Sequence, residues 1–209
     1  MKISEMVDKY GNAGEKREKK IGRFSATDLD KIINRHLTPK DFLNAPEMDS
    51  KGSRNCHRGD TVEYGARILF ERHKKEFDTQ VKDVIVVDGI EYVAIADFIF
   101  KKDGLPYKVV ECKSPEKFTG FKGYNKYQCE LQCRIFRLPV NISYFDFVYG
   151  EHGNVFTELG TFPYEPNDFL WSDIQRACKS FNERLIKYVE ANKIEKENER
   201  PDSKTKKIS

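Results

Sequence analysis

Tryptophan occurs once and proline eight times in 209 residues, and no apolar run approaches the length of a bilayer crossing. Mean hydropathy is −0.70, so no membrane partner is expected. Five cysteines form an odd set without a CxxC pair, which argues against a secreted disulfide framework. The first twenty residues, MKISEMVDKYGNAGEKREKK, lack the apolar centre of a secretory leader. A soluble protein of the cytoplasm is the expectation. Charge of one sign is scarce too: 37 Lys and Arg against 34 Asp and Glu leave +3. That balance permits a nucleic-acid partner without demanding one.

What is abundant is aromatic: 15 Phe and 10 Tyr exclude a wholly disordered polyampholyte and supply a core for one domain. Charged, pattern-poor ends divide the chain into an arm over 1–19, a folded domain over 20–191 and a solvated tail over 192–209. A polar stretch with Pro and Gly at 44–57 reads as a linker inside the domain. Ser25 or Thr27 can cap a short helix from about Asp28 to Arg35. Asp60 or Thr61 can cap a second, with Val62, Ala66, Leu69, His73 and Phe77 at helical spacing. Two β-branched and aromatic runs joined at Asp88-Gly89 form a hairpin, because Gly tolerates positive φ. A turn at Lys102–Gly104 leads to a strand over Tyr107–Lys113. A helix over 124–137, two strands and a last helix over about 171–190 follow, the last with Ile174, Cys178, Phe181, Leu185 and Tyr188 on one stripe. The fold class is α/β or α+β, a mixed sheet flanked by helices.

Chemistry concentrates in Ala96-Asp97-Phe98 and Glu111-Cys112-Lys113. Along a strand, Glu111 and Lys113 share a face and Cys112 points away. Charges at the end of an apolar strand are costly unless they bind something or meet at an open edge. A hairpin brings Asp97 beside Glu111, and two converging carboxylates suit Mg²⁺ or Mn²⁺. The Cys112 backbone carbonyl offers a further oxygen, and the Lys113 ammonium can stabilise charge on a phosphate. An exposed cross-strand ion pair would show the same residues. Three more segments bear on the choice. Glu63, in RGDTVEYGAR, begins a helix behind a glycine and can aim at the same centre; as a plain first-turn acid it would complement the helix dipole. Gln128 and Gln132 lie one turn apart on a helix. In KIGRFSATDL, hydroxyls open a helix behind two cations, which is both an ordinary cap and an anion site.

In this order, the words KIGRFSATDL, RGDTVEYGAR, AIAD, VVECKSP and YQCELQ resemble the PD-(D/E)xK nuclease superfamily, and within it the YqaJ-type exonucleases of the phage lambda kind. The resemblance spans about residues 20–190 and implies a restriction-endonuclease-like core. It implies Glu63, Asp97 and Glu111 as the acidic cluster, Lys113 as the catalytic lysine, and Gln128 or Gln132 as the water- or phosphate-directing glutamine. Lys20, Arg23, Ser25 and Thr27 would hold a 5′-phosphate, with Arg58 also on the DNA. Lys20 stands where the family has arginine, and keeps the charge but not the bidentate fork. Glu130 stands where the family's first glutamine falls, so its role is open.

The implied activity is Mg²⁺- or Mn²⁺-dependent hydrolysis of DNA, favouring a 5′-to-3′ exonuclease on linear duplex in viral or phage recombination or replication, in the host cytoplasm. A ring-shaped homo-oligomer and a single-strand annealing protein are the implied partners. The rivals are an endonuclease or single-strand-specific enzyme of the RecB kind on the same core, and a DNA-binding protein that keeps the fold without turnover. An iron–sulfur cluster needs four converging thiolates, and the spacing of Cys56, Cys112, Cys129, Cys133 and Cys178 argues against one. Cys56-His57 has no second pair to complete a zinc site, and His36, His73 and His152 have no partners at ligand spacing.

Overall fold

The computed structural model describes residues 21–34, 36–44, 50–115, 117–150 and 153–198. Lys20 and His152, the arm and residues 199–209 lie outside them, as does the side chain of Cys56. The elements run β1 (Arg23–Ser25), α1 (Ala26–Ile33), α2 (Pro39–Leu43), α3 (Ser50–Arg72), β2 (Glu76–Val87), β3 (Ile90–Lys102), β4 (Leu105–Lys113), α4 (Lys126–Phe136), β5 (Val140–Gly150), β6 (Gly153–Tyr164) and α5 (Asp168–Asn198).

Both expected turns form by the same chemistry. Asp88 and Gly89 have φ of 51° and 77°, and Asp103 and Gly104 have 53° and 77°, as a two-residue turn between right-twisted strands requires. The sheet is mixed: β1 runs parallel to β3, β3 antiparallel to β4, β4 parallel to β5, and β5 antiparallel to β6. β2 pairs with β3 over nearly its whole length and takes one edge of that strand. The other edge is shared. β1 pairs with Glu91–Val93, and β4 joins only from Phe98 onward. Residues 94–97 of β3 therefore face a gap between two neighbours.

Helices cover both faces of the sheet. Phe24, Leu29, Phe42, Tyr92, Leu131, Ile174, Phe181 and Leu185 make one core between the sheet and α1, α2, α4 and α5. On the other face, Val62 and Ala66 of α3 pack on Phe98, Phe100, Val110, Cys112 and Phe145. Gly65 makes that approach possible, since a Cβ there would stand 2.6 Å from the Phe156 ring.

Three boundaries differ from the sequence reading. α3 begins at Ser50, so most of the expected linker is helix, and Asp60 and Thr61 lie inside it rather than capping it. Its apolar stripe ends before His73, which is exposed, and Phe77 belongs to β2. α5 continues to Asn198, beyond the point where the tail was placed. No helix among the described residues is long and apolar enough to cross a membrane.

Candidate active site in the strand fork

β3 and β4 separate at the position that matters. Their last ladder pair on this side is Phe98 with Val110, so Asp97 lies across from Glu111 just beyond it. Asp97 then takes over the lost acceptor, its Oδ2 receiving the Cys112 N–H at 2.8 Å. Cys112 and Val110 pack under α3, and the alternation of the strand turns Glu111 toward α4. Both acids are buried, at 8% and 1% exposure. Such burial is tolerable only with the hydrogen bonds that follow.

Glu111 carries most of them. Its Oε1 accepts from the Lys113 ammonium and from Gln128 Nε2, and its Oε2 accepts from Gln132 Nε2 at 2.6 Å. Gln132 also donates to the Ile95 carbonyl at 3.0 Å, which patches the unpaired edge of β3. Its Oε1 is buried without a hydrogen-bond partner among the described residues. Gln128 and Gln132, one helical turn apart, thus converge on one carboxylate. Glu130, between them in sequence, does not join them. It is fully buried on the far side, accepting from Arg134 Nε at 2.8 Å, Tyr164 Oη at 2.7 Å and the Asn167 N–H at 2.9 Å.

Glu63 reaches the fork from α3. Burial, then the charge on Glu111, raises its pKa from an ordinary 4.5 to about 7, although Lys113 opposes the shift. Asp97 is pushed well above its usual range by burial, then by Glu111 and Glu63. Burial pulls the Lys113 pKa down, but Glu111 and Asp97 outweigh it and keep the ammonium charged. Asp60, one turn before Glu63, is also raised by burial, and its Oδ2 is buried without a partner among the described residues. The sequence marks Asp60 only as a candidate helix cap.

Gln80 is a further member of the site that the sequence does not mark. It lies on β2 across from Asp97 and donates to Glu63 Oε2 at 2.5 Å. The sequence reading carries the second helix to Phe77 and assigns no strand before the run at Val84, so nothing there marks the Gln80 amide as special.

The basic–hydroxyl motif forms a separate group. Ser25 caps α1 with Asp28 at N3: the Ser25 N–H and Oγ both donate to Asp28 Oδ2, at 2.9 and 2.7 Å. Thr27 Oγ1 lies 3.0 Å from Ser25 Oγ, and Arg23 pairs with Glu91 at 3.4 Å. The Gly22 N–H donates to Asn182 of α5. Ser25 is registered with Val93, four residues from Asp97, or on the order of 13 Å along the strand. Arg58 binds the end of β4 instead, through Ser114 Oγ at 2.7 Å and the Pro115 carbonyl at 3.0 Å, with Asp146 at 3.6 Å.

Among the described residues, no three His, Cys, Asp or Glu side chains form a ready-made metal cage. The oxygens that would bind a cation are instead occupied by Lys113 and the glutamine amides. The donor set still suits a hard divalent ion: carboxylates of Asp97, Glu111 and Glu63, which raise one another's proton affinity, and the Cys112 carbonyl beside them. The four described cysteines are buried, and burial first of all lifts the thiols of Cys129, Cys133 and Cys178 to about 12, 11 and 12. They act as core side chains.

No family model matches the chain, and no curated protein matches it. Solved structures do. An alkaline exonuclease, LHK-Exo from Laribacter hongkongensis, matches with TM-score 0.59 at 13% identity, covering 85% of this chain and 95% of that one. The same exonuclease in complex with dAMP gives 0.58 at 15% identity, with 85% and 95% covered. SSO0001 gives 0.52 at 18% identity, with 86% and 82% covered. An alkaline exonuclease among the neighbours agrees with the PD-(D/E)xK, YqaJ-type resemblance, and what the likeness shows is a shared nuclease-like fold, a mixed sheet flanked by helices.

Proposed function

We propose that this protein is a divalent-cation-dependent deoxyribonuclease, acting as a 5′-to-3′ exonuclease on linear duplex DNA. The supporting observation is the meeting of Asp97, Glu111 and Lys113 where β3 and β4 part. Asp97 and Glu111, with Glu63 and the Cys112 carbonyl, would hold Mg²⁺ or Mn²⁺. When bound, the cation supplies a water of lowered pKa and neutralises charge on the scissile phosphate. Lys113 remains an ammonium beside Glu111, so it orients the attacking water and stabilises the phosphate charge. Gln128 and Gln132 fix the Glu111 carboxylate, and the Gln132 Oε1, unpartnered among the described residues, is a buried acceptor at its side.

Arg23, Ser25 and Thr27, with Lys20, form the proposed 5′-phosphate group. Recombination or replication of viral or phage DNA, a ring of copies and a single-strand annealing partner belong to the same reading. One observation favours the endonuclease rival: the Asp28 carboxylate already takes the Ser25 donors to which a terminal phosphate would bind. The test compares 5′-phosphorylated linear duplex, its 5′-hydroxyl twin, circular plasmid and single strand, each with Mg²⁺ or Mn²⁺. Loss of linear duplex alone, faster with the phosphate, is expected. Cutting of the circle would establish the endonuclease instead, and cleavage of no substrate would leave a DNA-binding protein.

A further inference from the structure

Gln80 has a backbone that its side chain does not justify. Its φ is 52°, in the left-handed region that an ordinary L-residue avoids and glycine accepts freely. The flanking residues are in register, Thr79 with Phe98 and Val81 with Ala96, but Gln80 and Asp97 between them are not a ladder pair. The β2–β3 ladder is thus interrupted at the one residue of β2 that faces Asp97. Left-handed backbone at Asp88 and Asp103 makes tight turns. Gln80 is in mid-strand, where no turn requires it. Such local strain persists when surrounding contacts hold it, and here the contact is with the acidic cluster. The Gln80 amide donates to Glu63 Oε2 at 2.5 Å and stands 3.5 Å from Asp97 Oδ1. It reaches from β2 to the α3 acid on the side of Asp97 away from β4.

We propose that Gln80 is a positioning residue, holding the Glu63 carboxylate toward Asp97 and Glu111 so that the three acids can share a divalent cation. This rests on the metal-dependent reading of the site. Glu63 comes from a helix on the opposite face of the sheet from α4, and the 2.5 Å bond from Gln80 ties its carboxylate to the strand pair that carries Asp97. Partners that orient metal-binding carboxylates are worth roughly 10–100-fold in metal affinity.

The experiment measures Mn²⁺ binding to the full chain by titration calorimetry, beside thermal unfolding in chelator, for wild type, Gln80→Gly and Gln80→Ala. Glycine removes the amide and relieves the left-handed backbone, whereas alanine removes the amide and keeps the strain. The inference predicts Mn²⁺ binding weakened about tenfold or more in both variants. It also predicts that Tm stays at or above wild type in Gln80→Gly and falls in Gln80→Ala. A merely structural residue would lose affinity only where Tm falls. Wild-type affinity in Gln80→Gly overturns the inference while leaving the metal site standing. Wild-type protein that takes up no Mn²⁺ overturns the metal reading, and the inference falls with it.

Discussion

The Asp97 carboxylate accepts the Cys112 N–H at 2.8 Å, two residues beyond Val110, where the backbone ladder of β3 and β4 ends. A side chain thus closes the ladder, and the fork that opens beyond it holds the acids and the lysine. The same bond ties Asp97 to the residue whose carbonyl lies between Glu111 and Lys113. Moving the end of β4 would move Glu111, Cys112 and Lys113 together relative to Asp97.

The acids are held at a cost that depends on pH. The Glu63 pKa is raised to about 7 and that of Asp97 is raised as well, by burial and then by Glu111. Between about pH 4.5 and 7 the folded protein holds protons that the unfolded chain has released. The favourable contribution is therefore complete below the unfolded pKa and is lost as pH rises through the folded one. In chelator, Tm should fall from pH 5.5 to pH 8, and Glu63→Gln should flatten that fall. Because a cation displaces those protons, the Tm gain from added Mg²⁺ should be larger at pH 8 than at pH 5.5. Unchanged slopes in the variant would contradict this assignment.

Glu130 should matter for stability and not for chemistry. It is fully buried and binds Arg134, the Tyr164 hydroxyl and the Asn167 N–H, fastening α4 to the junction of β6 and α5. Glu130→Ala leaves these donors short of a partner and should cost about 3 kcal/mol in urea unfolding. Because this anchor sets the rotation of α4, Glu130→Gln should retain more stability than Glu130→Ala. Equal stability of Glu130→Ala and wild type would show the network to be idle.

Gly65 should tolerate no side chain. A Cβ there would meet the Phe156 ring at 2.6 Å, so α3 would have to lift from β6. Gly65→Ala should destabilise by roughly 1–3 kcal/mol despite the better helix propensity of alanine. Since Glu63 lies on the same helix, Mn²⁺ binding should weaken in parallel. A Tm at or above that of wild type would mean the contact is slack.

The legible part of this molecule is what local chemistry dictates. Asp88-Gly89 and Asp103-Gly104 announce their turns, and the apolar runs announce buried strands, with Asp97 a charge inside one and Glu111 a charge near the end of the other. The pairing of Asp97 with Glu111 followed from one hairpin. Less was visible where the partner is remote. The first turns of α3, SKGSRNCH, carry no apolar stripe, so they read as linker although the chain is helical there. Gln128, Glu130 and Gln132 are alike in polarity, and only the packing of α4 shows which two face Glu111 and which faces Tyr164. Gln80 had no sequence signal because a left-handed glutamine in a polar strand is decided by contacts from another face of the sheet.

The central claim is that Asp97, Glu111 and Lys113 form a cation-dependent hydrolytic centre. Its most direct measurement is single-turnover cleavage of a 5′-phosphorylated linear duplex by wild type, Asp97→Asn and Lys113→Ala, with Mg²⁺, with Mn²⁺ and with chelator. Wild type should cleave only when a cation is present, and Lys113→Ala should lose on the order of 10²–10⁴-fold with the fold intact. Asp97→Asn should lose both cleavage and Mn²⁺ binding. Cleavage that survives chelator, or that proceeds at the wild-type rate in Lys113→Ala, would contradict it.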